Sequence, residues 1–318
     1  MKKNFLKITL VLLTFVAFSC SNDDDSSQQT TNTIADFVSA NPNYSSLKAA
    51  LDRAGLTSTL DGTTDYTVFA PDNAAFSAFL TSNGFASLND VPVDVLQQVL
   101  LNHVVTGTNL STSLTTGYVK TLATEATTSN PIDMYINTSS GVMINGDVSV
   151  TAADIMVDNG VIHAVNKVIA LPTVVTFATA DSTFDTLVAA LTADAGFTYV
   201  STLSSMSSPA PFTVFAPTNG AFGDLLTELG VGGLGDIPTA TLEATLNTHV
   251  VAGANVLSTA LTDNMTVTTL GDTFTINLGS GATFTDQNGR TGNIIVTDVQ
   301  AANGVVHVID KVILPNLN

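Results

Sequence analysis

His103, His163, His249 and His307 are the four imidazoles of this 318-residue chain. Imidazole is the side chain most often used as a general base and as a metal ligand near neutral pH, so these positions come first. His103 precedes His163 by 60 positions and His249 precedes His307 by 58. A histidine-based metal site needs three or four ligands, and each pair comes without a thiol, since the single cysteine is Cys20. Asp154 and Asp298 each precede the second histidine of a pair, but sequence alone does not place a nucleophile within reach of a base. There is no Gly-x-Ser-x-Gly elbow, phosphate-cradling glycine loop or His-Glu-x-x-His helix. Asp286-Gln287-Asn288-Gly289-Arg290 has the look of a calcium loop but lacks the further acids and the bidentate glutamate, and reads as a hairpin tip. The expectation is that each imidazole is buried and bonded to a backbone carbonyl, with no catalytic residue, cofactor or resident metal.

Composition narrows the function further. The chain has 9 Lys+Arg against 27 Asp+Glu, a formal net charge of −18, with 11% charged and 45% hydrophobic residues. A strongly acidic chain lacks the clustered cations that drive nucleic-acid binding. The apolar fraction is enough for a folded core, and the length suggests two domains. With so few charges, the polar surface must be built from Thr, Ser, Asn and Gly.

The N-terminus reads as an export signal. Lys2, Lys3 and Lys7 precede an apolar run from Ile8 to Phe18 that ends at Ser19-Cys20, the order of a secretory signal peptide and too short to span a bilayer. Residues 1–19 are therefore expected to be removed. The segment around Cys20 resembles a bacterial lipobox, which implies a lipidated Cys20. Residues 20–32, with Asp23-Asp24-Asp25, form a polar tether that resembles the surface-export signal of Bacteroidetes-type lipoproteins. Loss of three lysines leaves a net charge of −21, so anionic headgroups repel the mature chain and the lipid is its only hold on a membrane. The expected location is the cell envelope, lipid-anchored at the outer membrane and surface-exposed.

The elements that must position the histidines are written twice. Tyr66 to Phe76 returns as Phe212 to Phe222, and Leu100 to Val105 as Leu246 to Val251, both at an offset of 146; Asn159 to His163 returns as Asn303 to His307 at 144. A period this long marks tandem domains, not a solenoid, here residues 33–172 and 173–315. Within each copy a short β-prone run ends at Pro71 or Pro217, and Asp72 or Thr218 stands where an N-cap belongs. Helical spacing follows at Phe76, Phe79 and Leu80, and at Phe222, Leu225, Leu226 and Leu229. Second helices are expected over Val93 to Leu101 and Thr239 to Leu246. Strand pairs are expected at Val148 to Val157 with Val161 to Ile169, and at Asn293 to Val299 with Val305 to Leu314, each turning at Asn-Gly. Helices first and strands after argue for an α+β fold.

Thr-Val-Phe-Ala-Pro-x-Asn-x-Ala-Phe, a helix ending in His-Val-Val, and Asn-Gly-Val-[Ile/Val]-His running to Lys-Val-Ile and Pro together resemble the fasciclin domain, in both copies. The resemblance implies two tandem fasciclin-like domains, each a β-sandwich wedge with several packed helices. It also implies an adhesion protein binding extracellular matrix protein, polysaccharide or other cells, with homophilic association as a further option. Two family features with adhesive roles carry over. The Asp-Ile pair before the final hairpin falls on Asp154 and Ile155 in copy one, and on Asp298 and Val299 in copy two, where the Ile is lost. The Tyr-His pair at the end of the second helix falls on His103 and His249, without the Tyr. The competing expectations are a glycan-binding envelope protein without an adhesion role, suited by low charge and many hydroxyls, and a hydrolase with His163 or His307 at the base of a polar pocket.

Overall fold

The computed structural model describes residues 32–279 and 281–316. The first repeat opens with three helices, α1 (Ile34–Ala40), α2 (Ser45–Ala54) and α3 (Thr57–Leu60), and enters strand β1 (Tyr66–Pro71). It continues through α4 (Asn73–Ser82) and α5 (Val93–Leu101) into six strands: β2 (Val104–Thr106), β3 (Gly117–Thr124), β4 (Pro131–Asn137), β5 (Met143–Ile144), β6 (Val148–Val157) and β7 (Gly160–Val165). The second repeat follows the same order with α6 (Val174–Ala180), α7 (Asp185–Leu191), α8 (Tyr199–Leu203), β8 (Phe212–Pro217), α9 (Asn219–Leu229) and α10 (Thr239–Asn247). Its remaining strands are β9 (Val250–Ala252), β10 (Met265–Thr268), β11 (Thr273–Asn277), β12 (Thr283–Thr285), β13 (Thr291–Ala301) and β14 (Gly304–Ile309).

The capping residues act as expected. Asp72 accepts from the amide of Ala75 at 2.8 Å and Thr218 from that of Ala221 at 3.2 Å, satisfying amides that have no partner within the helix. Gly230 ends α9 in the left-handed conformation. The sheets run β2-β1-β7-β6-β5-β4-β3 and β10-β11-β12-β13-β14-β8-β9. All neighbours are antiparallel except β1 with β7 and β8 with β14, which are parallel. These central strands are buried on both faces, which is why their sequences are nearly continuous apolar runs. In β1, Val68 and Ala70 pack under the helices while Phe69 points the other way, against Met134, Ile136, Ile144 and Val148 of β4 to β6. In β8, Val214 and Ala216 lie on the helix side and Phe215 meets Phe274 and Phe284. Each repeat is thus a sandwich closed by its own outer strands, with helices over one face.

Two strands are shorter than the sequence suggests. β7 ends at Val165 and β14 at Ile309, because the amides of Ile169 and Ile313 leave the ladder and donate to His103 and His249.

The repeats touch through unlike surfaces. The outer face of β3 and β4 presents the cross-strand pairs Tyr118–Tyr135 and Lys120–Asp133, and β13 of the second repeat docks there. The amide of Gln300 donates to Asp133 Oδ2 at 2.6 Å, and Lys120 Nζ bridges Asp133 Oδ2 at 2.6 Å and the Asp298 carbonyl at 3.0 Å. Tyr118 donates to Asp181 at 3.0 Å and stands edge-on to Phe177. The second repeat's corresponding cross-strand pairs are Thr266–Thr275 and Thr268–Thr273. No slack joins the domains: the carbonyl of Pro172 accepts from Ala302, and the amide of Val174 donates to Asn303.

Candidate functional site

The helix end at His103 is a hydrogen-bond hub. The ring is 2% exposed; Nδ1 donates to the Val99 carbonyl at 2.7 Å and Nε2 accepts from the Ile169 amide at 2.8 Å. His249 repeats this with Thr245 and Ile313 at 2.8 and 2.9 Å. Burial strips both rings of water and lowers their pKa to about 4, against a smaller opposing effect of the carbonyl each donates to. Both rings are therefore neutral and have no nitrogen left for a partner. As adhesion residues, His103 and His249 are corrected to core fasteners, because the segment each one pins covers it.

The second pair serves the strands. His163 Nε2 donates to the Asn109 carbonyl at 2.9 Å, and Nδ1 accepts from the Asp154 amide at 3.2 Å. His307 does the same with Val256 at 2.8 Å and Asp298 at 3.4 Å. Burial lowers the pKa of His307. Both rings are fully buried, so neither lies at the base of an open polar pocket. Each is the partner of a bulge: the β6–β7 register shifts between Ala152 and Ile155 and the β13–β14 register between Val296 and Val299, with Asp154 and Asp298 both at φ 61°. A non-glycine residue there is uncommon, and the bulge turns the carboxylate outward.

What each carboxylate meets is local. Asp154 accepts from the amide and the hydroxyl of Ser111 at 2.7 and 2.6 Å, bonds that lower its pKa. Asp298 accepts from the Ser258 amide at 2.7 Å and from the Ser258 hydroxyl. The surroundings of the two copies then diverge. Asp154 is exposed, Ile155 is half-buried and Met156 is 57% exposed. In copy two Val299 is 4% exposed and packs in the core that contains Tyr135, and Gln300, in the place of Met156, is fully buried. Val299 is therefore corrected from an adhesion candidate to a buried residue of the second repeat's core, and Asp298 holds its loop and lends its carbonyl to Lys120. The structure places Asp154 against His163 and not against His103, so the two candidate features do not form one site.

Asn159 and Asn303 do more than turn a hairpin. Asn159 accepts from the Ile34 amide at 2.9 Å and donates to the carbonyls of Leu60 and Gly62, both at 2.8 Å; Asn303 repeats this with Val174, Leu203 and Ser205. The exact recurrence of Asn-Gly in both copies was the signal for this role. Asp286 is saturated by the amides of Asn288, Arg290 and Leu314 and by the Arg290 guanidinium, so its loop is a closed turn. Among the described residues there is no group of three or more His, Cys, Asp or Glu arranged to hold a metal ion, and no single helix long and apolar enough to cross a membrane. Cys20, the segment 1–19 expected to be an export signal and the expected tether up to residue 31 lie outside the described residues.

The fasciclin domain model matches residues 42–172 and 182–315. The chain is 30% identical over 266 residues to transforming growth factor-beta-induced protein ig-h3 of Oryctolagus cuniculus, across 81% of this chain and 36% of that protein. It therefore spans about a third of the length of that relative. An uncharacterized protein of Synechocystis is 35% identical over 148 residues, which is 45% of this chain and 98% of that one. Among solved structures, a FAS1 domain pair from the insect cell adhesion molecule fasciclin I aligns at TM-score 0.46 and 18% identity, covering 84% of this chain and 92% of the other. With its family motifs recurring in both halves and the family match covering most of its length, the chain belongs to the fasciclin domain family.

Proposed function

We propose that this chain is a lipid-anchored adhesion protein that holds a cell to extracellular matrix protein or polysaccharide through its fasciclin pair. Fasciclin domains occur in cell adhesion proteins and are typically non-enzymatic, which supports a general binding role for this chain. The observation that carries the finer reading is the asymmetry of the bulged strands. The face that β13 uses to hold the first repeat is free on β6, where Asp154, Ile155 and Met156 offer a carboxylate beside an accessible apolar side chain. An acid next to exposed aliphatic surface suits a partner with a cationic or hydroxyl group flanking an apolar one. The anchor in this reading is Cys20, with the tether carrying the pair clear of the membrane.

Deleting the gene and restoring it with the full chain tests the proposal. Attachment to matrix-coated or polysaccharide-coated surfaces should fall on deletion, return with the full chain, and return only in part with Met156→Asp. A Cys20→Ala chain should be recovered from the medium and not from the cells. Unchanged attachment on every surface after deletion would sink the adhesion reading, whatever the anchor.

A further inference from the structure

Between the repeats lies a cleft of about 330 Å³, lined by Asn145 and Asp147 of the β5–β6 turn, by Leu171 and Val175 around the start of α6, and by Thr179 and Ser204. Ligand sites favour domain junctions, and this volume is at the lower end of their usual range. At about 30 Å³ per water it has room for about eleven waters, close to the non-hydrogen atoms of one hexose. Asn145 is 8% exposed, and its Oδ1 is taken by the Tyr135 amide at 2.9 Å. Its Nδ2 has no acceptor among the described residues. No fully buried side-chain nitrogen or oxygen among them lacks a partner, so Nδ2 keeps some access to solvent, and Asn145 lines the cleft. A nearly buried amide with one free donor is an uncommon feature, and it points to a ligand acceptor.

We infer that this cleft binds a neutral sugar residue, free or at the end of a glycan. Asn145 Nδ2 donates to a ring or hydroxyl oxygen. The Thr179 hydroxyl, which already donates to the Val175 carbonyl at 2.9 Å, accepts from a sugar hydroxyl. Asp147, held by Lys167 at 3.1 Å, accepts from another; carboxylates are the strongest acceptors for such donors. Leu171 and Val175 meet the C–H face of the ring, so polar edge and aliphatic face are both matched. Acidic sugars are excluded, since the lining carries an acid and no basic side chain and the mature chain is strongly negative.

This assignment rests on the reading of the chain as a binding protein but places the sugar away from Asp154, so the two can fail separately. The test is saturation-transfer NMR on the full mature chain with glucose, galactose and N-acetylglucosamine at millimolar concentrations, and with glycerol as control. Transfer to at least one sugar and not to glycerol is expected. Thr179→Trp should abolish it, and Asp147→Ala should weaken binding about tenfold, both with unchanged melting temperature because the positions are exposed. The assignment is overturned by no transfer to any of the three sugars, by equal transfer to glycerol, or by transfer that survives Thr179→Trp. Loss of sugar binding with attachment intact in the Thr179→Trp cell line separates this site from the adhesive face.

Discussion

Protonating His103 or His249 would put a second N–H directly against the backbone amide of Ile169 or Ile313, so geometry and desolvation both oppose the cation. Each ring has a folded pKa of about 4 against roughly 6.5 in the unfolded chain. Between those values the unfolded chain binds more protons, so stability is complete above about pH 6.5 and is lost as pH falls towards 4. The expected loss is about 3 kcal/mol per ring, read as a falling urea midpoint between pH 7.5 and 4.5; a flat midpoint over that range would refute it. The buried, carbonyl-bonded state of these rings could be anticipated from sequence because no second ligand or nucleophile accompanied them. Their partners could not: the amides of Ile169 and Ile313 are 66 and 64 positions away, and nothing local to either histidine encodes the bond. The same holds for Gln300, whose place in the strand does not say that its amide meets Asp133 of the other repeat.

The final hairpin of each repeat is where local sequence and long-range structure meet. Gly160 and Gly304 have φ of 140° and 154°, and a Cβ there would lie 1.9 Å from the Tyr66 carbonyl oxygen or 2.1 Å from that of Phe212. Glycine is thus required both by backbone conformation and by the parallel strand alongside. The preceding asparagine fastens this hairpin to the first helix, so Asn159→Ala or Asn303→Ala leaves an amide and two carbonyls without their partner. Each substitution should cost about 2–4 kcal/mol in urea denaturation; a change under about 1 kcal/mol would show that water replaces the side chain. Helices α4, α5, α9 and α10 and the Asn-Gly hairpins were legible because caps and periodicity are local. The parallel pairing of β1 with β7 was not, since two helices and five strands, some ninety residues, separate them and only the fold decides which edge they share.

At the scale of the whole molecule the contact between repeats is heterologous: one domain gives β13 and the other gives β3 and β4. Such contacts propagate when the accepting surface recurs, but Tyr118, Lys120, Asp133 and Tyr135 have only threonines as counterparts in the second repeat. The pair is closed by composition, so sedimentation of residues 32–318 should show no growth of polymers with concentration. Asp133→Ala removes the acceptor shared by Lys120 and Gln300, and should split one calorimetric unfolding transition into two; a single unchanged transition would mean that the aromatic contact around Tyr118 couples the domains alone. The bonded junction also bears on force. The described chain begins at Asn32, whose amide and carbonyl are both bonded to Asp158 at the tip of the first repeat's last hairpin, so a pull from the N-terminal side enters the sheet and not a loose end. Load applied to the second repeat then crosses to the first by shearing a broad strand-on-strand contact instead of stretching a single peptide.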